Sequence, residues 1–365
     1  MEANERHKLT KRAALMRKAA QTKAPSARRG RDEWDEEETR TTVRKTTSLD
    51  EWVLRLLEQE TETPALADTG GERGTVVAVA RRSCEVVCGA ERLSCLLSPD
   101  LAARQKAELA VGDEVSFMRK GGVQTLRSVL PRRTVLSRPD PGVPVERAIV
   151  ANVDVVVVVV SVIAPPLHPR IIDRLLVAIG RGGAQAVLCV NKLDLLTPDD
   201  ADAELGKLRP YEKLGVPVVR CSVERGEGLE ALREVLRGKM CAFVGHSGVG
   251  KSSLLNALRP DLALATGSVG EGYGRGRHTT TSSALWELGD GTRIIDTPGV
   301  RSFGLWDVSA DELPLYFPEF IPLRCRFRDC AHLSEPGCAV RAAVESGEVS
   351  EERYETYVRL VRGMP

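Results

Sequence analysis

The pattern of hydrophobic and polar positions changes several times along the chain, and each change marks a different kind of segment. Residues 1 to about 47 have no hydrophobic periodicity, so this stretch is predicted to be disordered. Residues 48–60 repeat apolar side chains at helical spacing after Ser48 and Glu51, a capping-box pattern that predicts a short amphipathic helix. A linker, TPALADTGG, follows this helix, and residues 1–73 are therefore interpreted as an N-terminal extension.

Short alternating strands separated by glycine turns occupy residues 74–138. About five strands of this kind predict a small β-barrel, for which an OB-type fold is the leading candidate. Basic side chains are frequent here, and they could either contact nucleic acid or solvate the strand faces. These side chains are Arg81, Arg82, Arg92, Arg119, Lys120, Arg127, Arg132 and Arg133.

Residues 139–306 alternate between strand-like and helix-like patterns. Their apolar runs lie at 153–162, 185–190, 216–221, 241–245 and 292–296. Such an alternation predicts an α/β domain with a largely parallel sheet. Residues 307–365 contain cysteines and are predicted to form a small, mostly helical domain. The predicted fold is therefore a barrel, an α/β domain and a small C-terminal domain.

The composition is typical of a soluble, multidomain chain, and its nearly balanced charge creates no strong overall electrostatic field. The 365 residues are 42% hydrophobic and 28% charged, and the net charge is +1. Residues 1–31 nevertheless carry ten Lys/Arg against two Glu, and they form either a solvated arm or a tail that touches a polyanion. No apolar run is long enough to span a membrane, and a signal peptide is absent. We expect a cytoplasmic monomer, although the extension could direct the chain to an organelle.

The stretch GHSGVGKSS follows an apolar strand and opens a helix, which is the context of a phosphate-binding loop. Its backbone N–H groups and the helix N-terminus can bind phosphate oxygens. Lys251 is expected to reach the β- and γ-phosphates, and Ser252 to ligate Mg²⁺. The predicted nucleotide-binding residues of this loop are Gly245, His246, Ser247, Gly248, Val249, Gly250, Lys251, Ser252 and Ser253.

Three further segments complete a predicted guanine nucleotide site: NKLD, DTPG and the stretch RCSVERGEGLEAL, in which a backbone N–H at Ser222 and Val223 would meet the guanine O6 atom. In DTPG, Asp296 can hold the water shell of Mg²⁺ and Gly299 can offer its N–H to the γ-phosphate. In NKLD, the Asp194 carboxylate can accept from two guanine donors. These segments stand in the order base, base, phosphate, Mg²⁺, which indicates a circularly permuted GTPase, because a parallel sheet binds ligands at its carboxyl edge whichever strand comes first. The predicted base-binding residues are Asn191, Lys192, Asp194, Ser222 and Val223.

A glycine-rich stretch between the phosphate loop and DTPG is predicted to be the switch that orders on the γ-phosphate. Thr280 is the predicted hydroxyl ligand for Mg²⁺ and sensor of the γ-phosphate, with Thr279 and Thr281 as competitors. Val300 follows DTPG where many GTPases carry a water-orienting Gln, and Val300 cannot hydrogen-bond through its side chain. His278 is the candidate replacement, and its alternative role is that of an exposed loop residue.

Three cysteines and one histidine near the C-terminus have the spacing of a zinc site. Cys325, Cys330, His332 and Cys338 supply four ligands, which suits tetrahedral Zn²⁺ without an open position. One structural zinc per chain is therefore predicted. The other cysteines lie on strand-like runs and are expected to be packing residues.

The sequence resembles the RsgA (YjeQ or EngC) family of small-ribosomal-subunit biogenesis GTPases from about Gly74 to Val361. The stretches that carry the resemblance are GHSGVGKSSL, GRGRHTTT, DTPGVRSFGLW and EPGCAVRAAVESGEVSEERYETY. The resemblance implies a GTPase that docks on the immature small subunit near its decoding region, is activated there and leaves on hydrolysis. It also implies that the barrel and the zinc domain contact rRNA, and that His278 positions the attacking water.

The leading functional hypothesis is thus a GTP hydrolase that binds the small ribosomal subunit and promotes its late maturation. One alternative is an RNA-binding module that uses GTP as a conformational timer with little hydrolysis. Another alternative is a translation factor that acts on mature ribosomes. The comparison of GTP hydrolysis with and without small subunits separates the first two hypotheses.

Overall fold

The computed structural model describes residues 71–80, 82–98, 109–139, 146–260, 284–296 and 308–363. All of these residues belong to one compact unit, Glu38–Pro365. The predicted helix at 48–60 lies outside the described residues.

A closed five-stranded barrel comes first, as the alternating pattern predicts. Its strands are β1 (Glu72–Val79), β2 (Ser83–Cys88), β3 (Glu91–Leu97), β4 (Glu114–Lys120) and β5 (Val123–Val129). The strand order is β1-β2-β3-β5-β4, and β4 pairs with β1 to close the barrel. Only β3 and β5 pair in parallel, as in an OB-type barrel. Fully buried side chains, among them Val76, Val86, Phe117 and Leu126, fill its interior.

A two-stranded antiparallel sheet links the barrel to the α/β domain. It consists of β6 (Val135–Pro139) and β7 (Glu146–Ala151). Strand β6 crosses the predicted boundary at residue 138, and the domain limits themselves stay predictions. The side chain of Asn152 secures the junction, because its Nδ2 donates to the Gly112 carbonyl at 2.9 Å.

The α/β domain contains a six-stranded sheet whose order is β10-β9-β8-β11-β13-β12. Its strands are β8 (Val155–Ser161), β9 (Gln185–Asn191), β10 (Val218–Arg220), β11 (Met240–Val244), β12 (Ala284–Glu287) and β13 (Arg293–Asp296). All neighbours pair in parallel except β12 and β13. The carboxyl ends of the five parallel strands therefore meet at one edge of the sheet.

Helices cover both faces of this sheet. They are α1 (Pro169–Arg181), α2 (Pro198–Gly206), α3 (Arg209–Lys213), α4 (Leu229–Leu236) and α5 (Lys251–Leu258). Alternate residues of β8 point to opposite faces. Val156, Val158 and Val160 share a core with α1 and α3, whereas Val155, Val157 and Val159 share another core with α4 and α5. Burial on both faces explains why β8 is an unbroken apolar run.

The C-terminal segment combines 3₁₀ turns at Leu313–Tyr316 and Pro318–Phe320 with helices α6 (Ala339–Glu345) and α7 (Glu351–Val361). We call residues 308–363 the tail. Its core contains Phe317 and Tyr357 and extends to α1 through Val177. The tail is therefore packed directly on a helix of the α/β domain. Within the described ranges, no helix is both long and apolar enough to cross a membrane.

Candidate nucleotide site and metal centre

The phosphate loop joins β11 to α5 at the carboxyl edge of the sheet. Gly245 and Gly250 have positive φ angles of 145° and 95°. A Cβ at Gly245 would lie 2.1 Å from the Val159 carbonyl oxygen, and one at Gly250 would lie 2.3 Å from Nδ2 of Asn191. Glycine is thus required at both positions by backbone conformation and by close approach.

Lys251 begins α5, and its side chain folds back over the loop. Its Nζ donates to the carbonyl oxygens of Gly245 and His246, both at 2.7 Å. These two bonds hold the ammonium group over the concave side of the loop, where phosphate oxygens would bind. Ser252 and Ser253 follow in the first turn of the helix, both half-buried. The arrangement concentrates positive charge and helix N–H groups at one point.

Two loops from neighbouring strands form the side of the site where base recognition is predicted. Asn191 ends β9, and its Nδ2 donates to the Val249 carbonyl at 3.0 Å, which ties this loop to the phosphate loop. The Ser222 hydroxyl donates to Oδ1 of Asp194 at 2.6 Å. Residues far apart in the sequence are therefore brought together at one edge. Oδ1 of Asn191 is buried and has no hydrogen-bond partner among the described residues, so it remains available to accept.

The structure adds one residue that the motifs do not predict. Arg225 donates from Nη2 to the Asp194 carbonyl at 3.3 Å, and its backbone N–H donates to Oγ of Ser222 at 3.2 Å. Lys192 adopts a left-handed conformation, with φ of 63°, which starts the 3₁₀ turn containing Asp194. Val223, half-buried, follows Ser222 in the same loop. Arg225 thus braces both of the loops that present Asp194 and Ser222.

The Mg²⁺ side of the site is described only in part. Asp296 is the last residue of β13, which pairs in parallel with β11, so its backbone ends beside the strand that leads into the phosphate loop. Gly299, His278, Thr279, Thr280, Thr281 and Val300 lie outside the described residues.

The four predicted zinc ligands converge in the tail. Their ligand atoms all lie within 4.8 Å of one another. Sγ of Cys325 is 3.4 Å from Nδ1 of His332 and 3.9 Å from Sγ of Cys338, and the distance from Cys338 Sγ to His332 Nδ1 is 3.6 Å. Bonds of about 2.3 Å to sulfur and about 2.0 Å to nitrogen in a tetrahedron require about 3.8 Å between sulfurs and about 3.5 Å from sulfur to nitrogen. The cluster therefore fits Zn²⁺.

Neighbouring groups hold this cluster in shape. The Glu335 carboxylate accepts from the backbone N–H groups of Ala331, Leu333 and Ser334, each at 3.0 Å. The Tyr354 hydroxyl donates to the His332 carbonyl at 2.7 Å, and the Tyr357 hydroxyl donates to the Ala331 carbonyl at 2.8 Å. Helix α7 therefore fixes the loop that carries the histidine ligand.

Four of the eight basic side chains predicted for the barrel form ion pairs among the described residues. Arg92 pairs with Glu85, Arg119 with Glu72 and Glu91, Arg132 with Asp113, and Arg133 with Asp154. The pairs formed by Arg92, Arg119 and Arg133 are at least partly exposed, so a polyanion could compete for their guanidinium groups. Arg132 is the exception, because its bidentate contact with Asp113 is structural.

Comparisons with known proteins agree with the geometry. The sequence profile of the RsgA GTPase family matches residues 129–306. The small ribosomal subunit biogenesis GTPase RsgA of Gemmatimonas aurantiaca is 45% identical over 259 residues, which cover 69% of this chain and 83% of the relative. The protein of the same name from Shewanella oneidensis is 41% identical over 272 residues, covering 72% of this chain and 76% of the relative.

Solved structures show a similar architecture. The crystal structure of YjeQ from Thermotoga maritima is 36% identical, has a TM-score of 0.66, and matches 80% of this chain and 97% of that one. YloQ, whose structure is described as a circularly permuted GTPase, is 28% identical with a TM-score of 0.62, and the match covers 82% of this chain and 97% of YloQ. The permuted order inferred from the motifs is thus found in a structure of the same architecture.

Proposed function

This chain belongs to the RsgA family of GTPases, and on that premise we propose that it binds the small ribosomal subunit and promotes its late maturation. GTP hydrolysis, stimulated by the subunit, ends each binding event. One observation best supports guanine as the base: the Ser222 hydroxyl orients the Asp194 carboxylate, and Asn191 ties the loop that carries Asp194 to the phosphate loop. The proposed location is the cytoplasm, where the chain acts as a monomer.

The residues of the phosphate loop have distinct roles in this proposal. When GTP binds, the Lys251 ammonium group gives up its hydrogen bonds to the Gly245 and His246 carbonyls and donates to β- and γ-phosphate oxygens instead. Ser252 and Thr280 would be the protein ligands of a bound Mg²⁺, which would supply positive charge beside the phosphates. Asp296 would hold the water shell of the ion, and the Gly299 N–H would bind the γ-phosphate. The loop backbone from Gly245 to Ser253 surrounds the remaining oxygens.

Guanine recognition rests on the neighbouring loops. Asp194 accepts from N1–H and from the exocyclic amine, a pair of donors that adenine lacks. The backbone at Ser222 and Val223 faces the guanine O6 atom, while Asn191 contacts the other edge of the base. The stem of Lys192 covers the ring.

The tail is the proposed second contact with rRNA, alongside the barrel. Cys325, Cys330, His332 and Cys338 hold one structural Zn²⁺, which would fix the short segment between the first two ligands. That segment exposes Arg326 and Arg328 together with Phe327, which is 42% exposed, and the exposed Arg324 directly precedes it. Arginines that flank an exposed aromatic ring can contact phosphates while the ring stacks on an unpaired base.

The experiment that tests the proposal measures GTP hydrolysis with and without purified small subunits. We expect turnover to rise with immature subunits, and the protein locked with a non-hydrolysable GTP analogue to co-sediment with them. Equal turnover with and without subunits contradicts stimulated hydrolysis. Preferential sedimentation with mature subunits would support a translation factor instead.

Replacing Ser252 with alanine should reduce turnover by roughly 10²–10³-fold. The hydroxyl is the proposed protein ligand of Mg²⁺ from the phosphate loop, and one lost transition-state contact of this kind costs roughly 10²–10³-fold in rate. Hydrolysis of GTP at saturating Mg²⁺ measures the effect. Ser346→Ala, which removes an exposed hydroxyl from the tail, is the matched control and should turn over as the wild type does.

Replacing His278 with alanine should leave GTP binding unchanged but reduce subunit-stimulated hydrolysis by about 10²-fold, a typical contribution of a positioned hydrogen-bonding group. His278→Gln should restore part of the rate, because glutamine can also orient water. Single-turnover hydrolysis with saturating subunits separates this effect from binding. Equal stimulated rates in wild type and His278→Ala would refute the catalytic role.

A further inference from the structure

A buried cluster of charged side chains joins α7 of the tail to α1 of the α/β domain. Nη1 of Arg353 donates to Oδ1 of Asp173 at 2.5 Å, and its Nε and Nη2 donate to the two carboxylate oxygens of Glu319 at 2.6 and 3.1 Å. The side chains of Arg353 and Asp173 are 3% and 0% exposed. None of these three residues is among the predicted nucleotide-binding or zinc-binding residues.

The residue types in this cluster indicate that it fixes the position of α7 relative to α1. Two carboxylates face one guanidinium group, and Oδ2 of Asp173 has no hydrogen-bond partner among the described residues. Burial raises the pKa of Asp173 to about 6, although Arg353 opposes this shift. A buried ion pair adds little net stability compared with apolar packing, but it tolerates only a narrow range of positions.

Helix α7 connects this cluster to the metal centre. Tyr354 and Tyr357 lie one residue and one turn beyond Arg353, and their hydroxyls hold the carbonyls of His332 and Ala331. The rings of Phe317 and Tyr211 lie against the Arg353 guanidinium, with centroids 5.1 and 5.4 Å from its central carbon. The position of Arg353 is therefore linked to that of the loop carrying the histidine ligand.

The N-terminal end of α1, which carries Asp173, is also connected to the nucleotide site. Residues 162–168 lead from β8 into α1, and we call them the connecting loop. Nζ of Lys192 donates to the Ala164 carbonyl at 2.6 Å, and Cδ of Pro165 lies 3.7 Å from the position that a Cβ of Gly248 would take. The connecting loop thus touches both the base-recognition loop and the phosphate loop.

Tyr211 links the first residue of α1, which directly follows the connecting loop, to the charged cluster. Its hydroxyl lies 3.0 Å from Oδ1 of Asp173 and 3.0 Å from the carbonyl of Pro169, the first residue of α1. A continuous series of contacts therefore runs from the phosphate loop through α1 to α7. Coupling between distant sites requires contacts of this kind, together with an element whose position both sites can bias.

We infer that Arg353 is a positioning residue that fixes the tail to α1, so that the nucleotide bound beside the connecting loop sets the position of the metal-bearing loop. This inference rests on the proposed function, because the two states it distinguishes are the GTP and GDP complexes. Through these contacts, the change from GTP to GDP would alter the position of the tail, and the altered tail would favour the proposed release from the subunit.

Hydrogen exchange of the α7 backbone amides tests the inference in the full-length, zinc-loaded protein. Wild type should show exchange rates that differ between GDP and a non-hydrolysable GTP analogue by about fivefold or more, the lower range of typical allosteric couplings. Asp173→Ala should reduce this difference to less than about twofold. The variant leaves Arg353 paired with Glu319, so the tail keeps a charge-balanced core.

Glu355→Ala is the matched control, because Glu355 forms an exposed pair with Arg170 across the same two helices, at 3.9 Å. It should keep the full nucleotide-dependent difference. If Asp173→Ala loses its zinc and therefore its folded tail, Arg353→Lys replaces it as the deciding variant, since lysine keeps the buried positive charge but lacks the planar fork that contacts Asp173 and Glu319 together. Retention of the wild-type difference in the deciding variant overturns the inference.

Hydrolysis measured on the same samples separates this inference from the proposed function. Wild type that hydrolyses GTP with subunits but shows no nucleotide-dependent exchange in α7 refutes the inference alone. Wild type that shows the exchange difference but no stimulated hydrolysis refutes the proposed function alone.

Discussion

Replacing Asp194 with asparagine should weaken GTP binding by roughly 10²–10⁴-fold, since it removes a carboxylate expected to accept two charge-assisted hydrogen bonds. Asparagine offers one acceptor and one donor, and its donor would face the exocyclic amine of guanine. The Ser222 hydroxyl, which donates to Oδ1 of Asp194 at 2.6 Å, can still donate to the asparagine oxygen. The loop should therefore keep its conformation while its base preference changes.

The sharper measurement compares GTP with XTP. Xanthine has a carbonyl oxygen where guanine has its exocyclic amine, so the asparagine amide group should donate to it. We expect the variant to bind XTP better than GTP, which reverses the wild-type order. Asp199→Asn makes the same chemical change at an exposed position in the first turn of α2 and should leave both affinities unchanged. Equal losses for GTP and XTP in the Asp194 variant would show that the substitution merely disrupts the loop.

The parts of the fold with strong local patterns could be predicted from the sequence. The unbroken valine run of β8 indicates a strand buried on both faces, and the strand-loop-helix context around Gly245 locates the phosphate loop. The circular permutation was also predictable, because motif order is visible in the sequence and the carboxyl edge of a parallel sheet collects the motifs in any order. The predicted OB-type barrel is present as a closed five-stranded barrel, the permuted GTPase agrees with the match to YjeQ and YloQ, and the four predicted zinc ligands lie close enough together to hold a metal ion.

Features that depend on contacts between distant residues were not predictable from these patterns. Strands β6 and β7 pair with each other, although the alternating pattern of β6 alone is also compatible with a sixth barrel strand. The hydrogen bond from Arg225 to the Asp194 carbonyl could not be predicted, because Arg225 belongs to no motif and long polar side chains are common in such loops. Arg353 and Asp173 are 180 positions apart, and each resembles an ordinary charged residue on an amphipathic helix.

The permutation also has a consequence for the connection between hydrolysis and the tail. In this chain order, residues 300–307 join DTPG to the tail, so the segment proposed to bind the γ-phosphate is connected to the tail through the backbone. Helix α1 contacts the same tail through the packed Val177 and the Asp173–Arg353 pair. The tail is therefore connected to the α/β domain both by the chain that follows DTPG and by packing on α1.

Removing the metal should unfold the ligand loop of the tail while the α/β domain stays intact. The tail has only two α-helices and two 3₁₀ turns among the described residues, and its ligand loop is held by a few hydrogen bonds. Structural zinc contributes about 10–16 kcal/mol of apparent binding free energy in small zinc domains. Chelation should therefore remove hydrogen-exchange protection from the segment between Cys325 and Cys338, with GTP affinity unchanged.

Cys338→Ser tests the same point without a chelator, because a serine hydroxyl does not supply the soft thiolate that zinc prefers. Metal analysis should find one zinc per wild-type chain and little in the variant, and subunit binding should fall while intrinsic GTP binding stays the same. Cys88→Ser, at a half-buried position on β2 of the barrel, is the matched control and should retain its zinc. Zinc content equal to wild type in Cys338→Ser would remove this cysteine from the ligand set. Because α7 is also anchored to α1 through Arg353, protection in α7 should outlast that in the ligand loop when zinc is withdrawn.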